Sequence, residues 1–295
     1  MRTFMGLTTK NLKNIKDELT HNSKATVKDQ VKFNHGFAEL KNGIRIHYVE
    51  KGNTDGLPVI FLHGYPDSWK SFQPVLKELS LAYRAFAIDL RGFGESSRPK
   101  NGYSPDDFAE DVIAFLDVLN IKKTSIVGHS MGSFIAQRLA QLFPERVDKL
   151  VLIGSASKVK GNQVISEALK AVMTLQDPID KNFASEFQSG TIKDRINQKF
   201  FESLVQESLK APAWVWKNAL KELAGYDHSK ELVNIKHKTL IAWGTHDTIF
   251  SKEEQKLLLK AIPNASLNIY MDAGHSLNWE QAKTFSRDLE VFLHR

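Results

Sequence analysis

At 295 residues, with 42% apolar and 25% charged side chains, the chain can build one large core or a core interrupted by an insertion, which excludes disorder throughout. Its formal net charge of +6 comes from lysines scattered among acids. The densest basic run, Lys10 to Lys16, is short and no nucleic-acid motif accompanies it, so neither nucleic-acid binding nor a membrane-surface role is expected. The absence of cysteine excludes disulfides and thiol catalysis, and no stretch of about 18 apolar residues is present to span a bilayer. The opening MRTFMGLTTKNLKNIKDELT has no signal-peptide core, and a cytoplasmic location is expected.

Residues 1–35 read as a polar extension, with Leu12, Ile15 and Leu19 at helical spacing. Phe37 to Leu40 and Ile44 to Val49 alternate around Asn42-Gly43, a hairpin with a turn that wants positive φ. Leu57 to Leu62 (LPVIFL) is continuously apolar, as a strand buried on both faces must be. Strand and helix patterns then alternate. Trp69, Phe72, Val75, Leu76 and Leu79 mark a helix, and Arg84 to Leu90 a strand. Ser104-Pro105-Asp106-Asp107 supplies a cap, a first-turn proline and two acids to start a helix whose inner face is Phe108, Val112, Phe115, Leu116 and Leu119. Thr124 to Gly128 reads as strand, Met131 to Phe143 as helix, and Val147 to Ile153 as strand. Such alternation implies parallel strands joined by right-handed helical crossovers, hence an open α/β sheet.

Between about 156 and 236 the alternation stops. Helical stretches (Val164 to Leu175, Arg195 to Leu209) and large apolar residues fill this segment, which is expected to be a helical cap over a cleft as well as a second core. His129, Met173, Phe187, Trp214 and Trp216 are the candidates to line a substrate pocket. Alternation resumes with Thr239 to Trp243 and Ser266 to Met271 as strands, and Lys252 to Ala261 and Gln281 to Leu293 as helices. The expected divisions are therefore 1–35 extension, 36–155 and 237–295 core, and 156–236 cap.

The chemistry gathers where strands end. Gly128-His129-Ser130-Met131-Gly132 follows an apolar strand and opens an amphipathic helix. A bend sharp enough to expose a serine hydroxyl at that edge strains the serine and leaves no room for Cβ atoms beside it, which is what Gly128 and Gly132 are for. An alcohol needs a base, and the base an orienting acid. Among ten histidines, His275 is singled out by its position alone, just after the last strand. Asp247, after the preceding strand, reaches the same rim and is the expected acid. Asp89 also ends a strand but is expected to brace its own loop, and Asp272 lies too near His275 in sequence to face the ring. Two backbone N–H groups should hold the oxyanion, from Met131 at the helix start and from Tyr65 in His63-Gly64-Tyr65-Pro66. His63 is expected to brace that loop, and Gly64 to let it come close. This chemistry needs neither cofactor nor metal, and none is expected.

HGYPDSW (63–69), DLRGFGESSRP (89–99), GHSMGSFIAQ (128–137), GTHD (244–247) and AGH (273–275) together make the chain resemble the α/β-hydrolase superfamily, nearest its epoxide-hydrolase and haloalkane-dehalogenase-like branch. The resemblance runs from residue 36 to the C-terminus apart from the cap, and implies a mostly parallel eight-stranded sheet. Members that open epoxides or displace halide carry aspartate where this chain has Ser130. Those that open epoxides also use cap tyrosines; the six tyrosines here lie at 48, 65, 83, 103, 226 and 270, and the body of the cap has none before Tyr226 near its end. A serine nucleophile implies an acyl-enzyme from a carbonyl substrate, so the expectation is an esterase acting on a small, hydrophobic molecule, as monomer or homodimer. Carbon–carbon bond hydrolases of meta-cleavage type, lactonases and perhydrolases resemble the chain equally in the triad. A small-molecule receptor on the same scaffold is the alternative from another class.

Overall fold

The computed structural model describes residues 32–294. The helix expected around Leu12, Ile15 and Leu19 lies outside them. Eight strands form one sheet: β1 (Asn34–Glu39), β2 (Arg45–Lys51), β3 (Leu57–Leu62), β4 (Tyr83–Ile88), β5 (Thr124–His129), β6 (Val147–Ile153), β7 (Lys238–Gly244) and β8 (Ala265–Tyr270). Their spatial order is β1-β2-β4-β3-β5-β6-β7-β8. Only the β1–β2 and β2–β4 pairings are antiparallel. The first hairpin turns at Gly43, φ +81°, with Asn42 Oδ1 accepting from Ile44 N at 3.1 Å. Its first strand starts at Asn34, so the expected boundary at 35 falls inside β1. Backbone pairing with β2 extends it, His35 standing opposite Val49, where side-chain alternation gave no signal.

The central strands are apolar throughout because both faces are covered. In β3, Ile60 and Leu62 enter one hydrophobic cluster while Val59 and Phe61 enter another across the sheet. The first cluster packs under α2 (Pro105–Val118) and α3 (Met131–Leu142), through Phe108, Phe115, Phe134 and Leu139. The second packs under α1 (Gln73–Glu78), through Val75 and Leu76. A 3-10 turn, Trp69–Phe72, precedes α1 where the apolar spacing suggests one continuous helix. The expected start of α2 is present as a reciprocal capping box between Ser104 and Asp107.

Between β6 and β7 the insertion holds α4 (Gln163–Val172), α5 (Lys181–Ser189), α6 (Gln198–Ser208) and α7 (Ala213–Ala224). Side chains of Asn162, Asp180 and Asn197 cap the first three. After β7 come α8 (Lys252–Ala261), then, beyond β8, the single turn α9 (Leu277–Glu280) and α10 (Ala282–His294), whose Phe285 and Leu289 complete the second cluster. Among the described residues no helix is long and apolar enough to cross a membrane.

Candidate active site

Ser130 is the one residue between β5 and α3, with φ 51° and ψ −118°. Holding a non-glycine residue there costs on the order of 1–3 kcal/mol, so the surroundings must enforce it. They do. A Cβ on Gly128 would lie 2.2 Å from the Gly132 carbonyl oxygen, and one on Gly132 would lie 2.1 Å from that of Leu62. Neither position accepts any side chain. Ser130 N donates to Ile153 O at 2.9 Å, and Ser133 Oγ donates to Ser130 O at 2.6 Å, fixing the bend from both sides.

His275, in the loop after β8, places Nδ1 2.9 Å from Asp247 Oδ2, with both side chains buried. Asp247 Oδ1 accepts from the backbone N–H groups of Ile249 (2.9 Å) and Phe250 (3.0 Å). A carboxylate so held accepts only, which puts the ring proton on Nδ1 and leaves Nε2 bare. That Nε2 is buried and has no hydrogen-bond partner among the described residues. Ser130 and His275 line one cavity, together with Tyr65, Asp67, His129, Phe187, Gln188 and Trp279. A backbone bond from His246 N to Ala273 O (2.9 Å) ties the acid's loop to the histidine's.

The rival acids are engaged elsewhere. Asp89 accepts from Trp69 N (2.7 Å) and Glu95 N (2.9 Å) and pairs with His47 Nδ1 (2.8 Å), the bracing role expected of it. Asp272 is exposed and pairs with Lys193 at 2.9 Å. His63 also braces: Nδ1–H donates to Gly64 O (2.8 Å) while Nε2 accepts from Leu90 N (3.0 Å). Burial lowers its pKa, so it stays neutral in that role. A Cβ on Gly64 would sit 3.0 Å from His129 Nδ1 and 3.2 Å from Ser130 Cβ, which shows how closely this loop approaches the serine. Neither Tyr65 N nor Met131 N meets an acceptor among the described residues.

Of the expected pocket residues, His129 and Phe187 line the cavity. His129 Nε2–H donates to His275 O at 3.2 Å; burial first, and the neighbouring His275 second, hold its pKa well below the ordinary value. The other three do not line it. Met173 follows the last turn of α4 and is 48% exposed. Trp214 packs on Tyr103, ring centroids 6.0 Å apart. Trp216 is fully buried behind Tyr65, and its Nε1 donates to Ser208 O at 3.1 Å. Two residues apart on a helix point to nearly opposite sides, so these tryptophans could not both face one cavity.

Several lining residues are not marked in the sequence, Asp67, Gln188 and Trp279 among them. Asp67, in the same HGYPDSW loop as Tyr65, is buried and accepts from Gln188 Nε2 of α5 at 2.7 Å; desolvation pushes its carboxyl up to about 7. Its place after a strand end was the available signal. Gln188 gives none, and Trp279 sits on a helix too short for periodicity to mark a face. Leu220 and Leu223, three apart on α7, share one face and also line the cavity.

A sequence model of the alpha/beta hydrolase fold matches residues 58–282. Epoxide hydrolase 2 of Caenorhabditis elegans is 24% identical, over 89% of this chain and 80% of that protein. The AB hydrolase superfamily protein YisY of Bacillus subtilis is 32% identical, over 80% of this chain and 91% of its own. Among solved structures, an esterase from Exiguobacterium antarcticum superposes with a TM-score of 0.79 at 22% identity, covering 88% of this chain and 99% of that one, a likeness of fold.

Proposed function

The chain belongs to the α/β-hydrolase-fold family, and from that premise we propose that it is a serine hydrolase that cleaves carboxylic esters of small hydrophobic molecules through an acyl-enzyme. One observation carries the proposal. Ser130, on a strained turn, shares its cavity with a histidine whose Nδ1 is held by a buried carboxylate and whose Nε2 is unpartnered. In the proposed reaction, His275 Nε2 takes the Ser130 proton as Oγ attacks the ester carbonyl. The unused N–H groups of Met131 and Tyr65 bind the oxyanion, each on the order of 3 kcal/mol by the cost of deleting such donors. The tetrahedral intermediate collapses, His275 passes its proton to the departing alcohol, and the acyl group remains on Ser130. His275 then takes a proton from water as it attacks the acyl carbon, and on collapse returns that proton to Ser130 Oγ while the acid leaves.

The named relative in C. elegans is an epoxide hydrolase, but serine in place of aspartate argues against that reaction here. An alkoxide cannot form the alkyl-ester intermediate that a carboxylate forms. Apolar walls from Ile165, Leu220, Leu223 and Ile249 support a hydrophobic substrate. Ser130→Ala is expected to abolish hydrolysis of p-nitrophenyl esters with its melting curve nearly unchanged. Retention of wild-type turnover would refute the proposal, and failure of a fluorophosphonate to label Ser130 would favour a receptor.

A further inference from the structure

The cavity at Ser130 has a volume of about 30 Å³, enough for ordered water but not for an ester. A groove of about 500 Å³ lies beside it, with Pro74, Ile196, Phe200 and Ala282 as its apolar wall and charged residues, among them Lys77, Glu78 and Lys283, around them. Trp279 is the residue that borders both. Its ring meets His129 on one side (centroids 6.0 Å) and Phe200 on the other (6.4 Å), each edge-on.

The indole differs from two other buried ones. Trp216 Nε1 donates to Ser208 O at 3.1 Å and Trp243 Nε1 to Phe250 O at 2.9 Å, whereas Trp279 Nε1 is buried with no partner among the described residues. Leaving a buried donor unpaired is unfavourable, so this ring lacks the hydrogen bond that anchors the other two indoles. Its backbone, by contrast, is fixed. Ser276 N donates to Thr191 O (2.9 Å), and the Glu280 carboxylate accepts from the N–H groups of Gly274 (2.7 Å), Lys193 (2.9 Å) and Asp194 (3.0 Å).

We propose that Trp279 is a swinging partition, and that the groove beyond it is a substrate subsite for the larger, apolar half of the ester, whose acceptor oxygen takes the indole N–H. This deepens the serine-hydrolase reading and rests on it. Trp279 is thus a specificity-determining residue, and the enzyme's preferred esters carry an extended alkyl or aromatic group against Phe200, Ile196 and Pro74.

The test compares kcat/KM for p-nitrophenyl octanoate against the acetate, and for 2-naphthyl acetate against phenyl acetate. Trp279→Ala should raise at least one large-to-small ratio by roughly tenfold, the scale on which pocket shape discriminates. Lys283→Trp, which fills the groove from an exposed position, should lower the same ratio. A purely structural Trp279 would lower all four rates together. If both ratios stay within about twofold of wild type in both variants, while Ser130→Ala still abolishes turnover, the partition is wrong and the hydrolase reading stands. Turnover that persists in Ser130→Ala would instead refute the hydrolase reading.

Discussion

Among the described residues are two buried aspartate–histidine pairs of nearly the same geometry. Asp247 holds His275 Nδ1 at 2.9 Å, and Asp89 holds His47 Nδ1 at 2.8 Å. Both carboxylates also accept backbone N–H groups at loops that follow strands. The difference is at the far nitrogen. His47 Nε2 lies 3.0 Å from His35 Nδ1, so that ring is closed within a structural chain, whereas His275 Nε2 is unpartnered in a cavity that Ser130 also lines. An oriented imidazole is therefore common structural stock. What makes one a candidate base is an unused nitrogen beside a nucleophile.

The sharpest way to break the comparison is to remove each imidazole. His275→Ala should lower kcat on p-nitrophenyl acetate by roughly 10⁵- to 10⁶-fold, as loss of a triad base does. His47→Ala should leave kcat within about threefold while lowering Tm, because it deletes a buried hydrogen-bond partner and no reacting group. Equal losses of activity would mean that the two pairs are one functional network. Next come the acids. Asp247→Asn is expected to reduce kcat by up to about 10⁴-fold with a folded protein, since the amide no longer fixes the tautomer. Asp89→Asn should instead cost stability, about 2–4 kcal/mol by denaturant titration, because the amide cannot accept all the bonds the carboxylate accepts.

The smallest expected effect concerns the third carboxyl, Asp67. Its folded pKa is raised to about 7 mainly by desolvation, with Gln188 and His275 opposing the shift. A carboxyl that holds its proton more tightly folded than unfolded stabilises the fold below its unfolded value near 4 and loses that contribution as pH rises toward about 7. Asp67→Asn keeps an acceptor for Gln188 and carries no charge. Its Tm relative to wild type should therefore rise between pH 5 and pH 8, by the equivalent of about 1 kcal/mol or more. A constant difference across that range would contradict the assignment.

The sheet was legible because its central strands are largely buried on both faces: LPVIFL and VDKLVLI predict β3 and β6 to the residue. The triad candidates were legible because a parallel sheet sends all its carboxyl ends to one edge, so that position after a strand suffices to gather Ser130, Asp247 and His275. The pocket was not. Its walls come from helices of the insertion, and which helix face turns inward depends on how those helices pack. Trp216 and Met173 are both large and apolar, yet one is fully buried behind Tyr65 and the other half-exposed. Asp67 was hidden for another reason: it stands two residues past Tyr65 in the HGYPDSW loop, and its burial depends on Gln188 of the distant α5.

In the proposed reaction Ser130 carries the acyl group. Quenching the wild-type enzyme in acid during turnover of p-nitrophenyl acetate, then sequencing its peptides by mass spectrometry, should find one acetyl group on Ser130, and none in Ser130→Ala. An active enzyme with its acetyl group on any other residue, or with none at all under conditions where deacylation limits turnover, would contradict it.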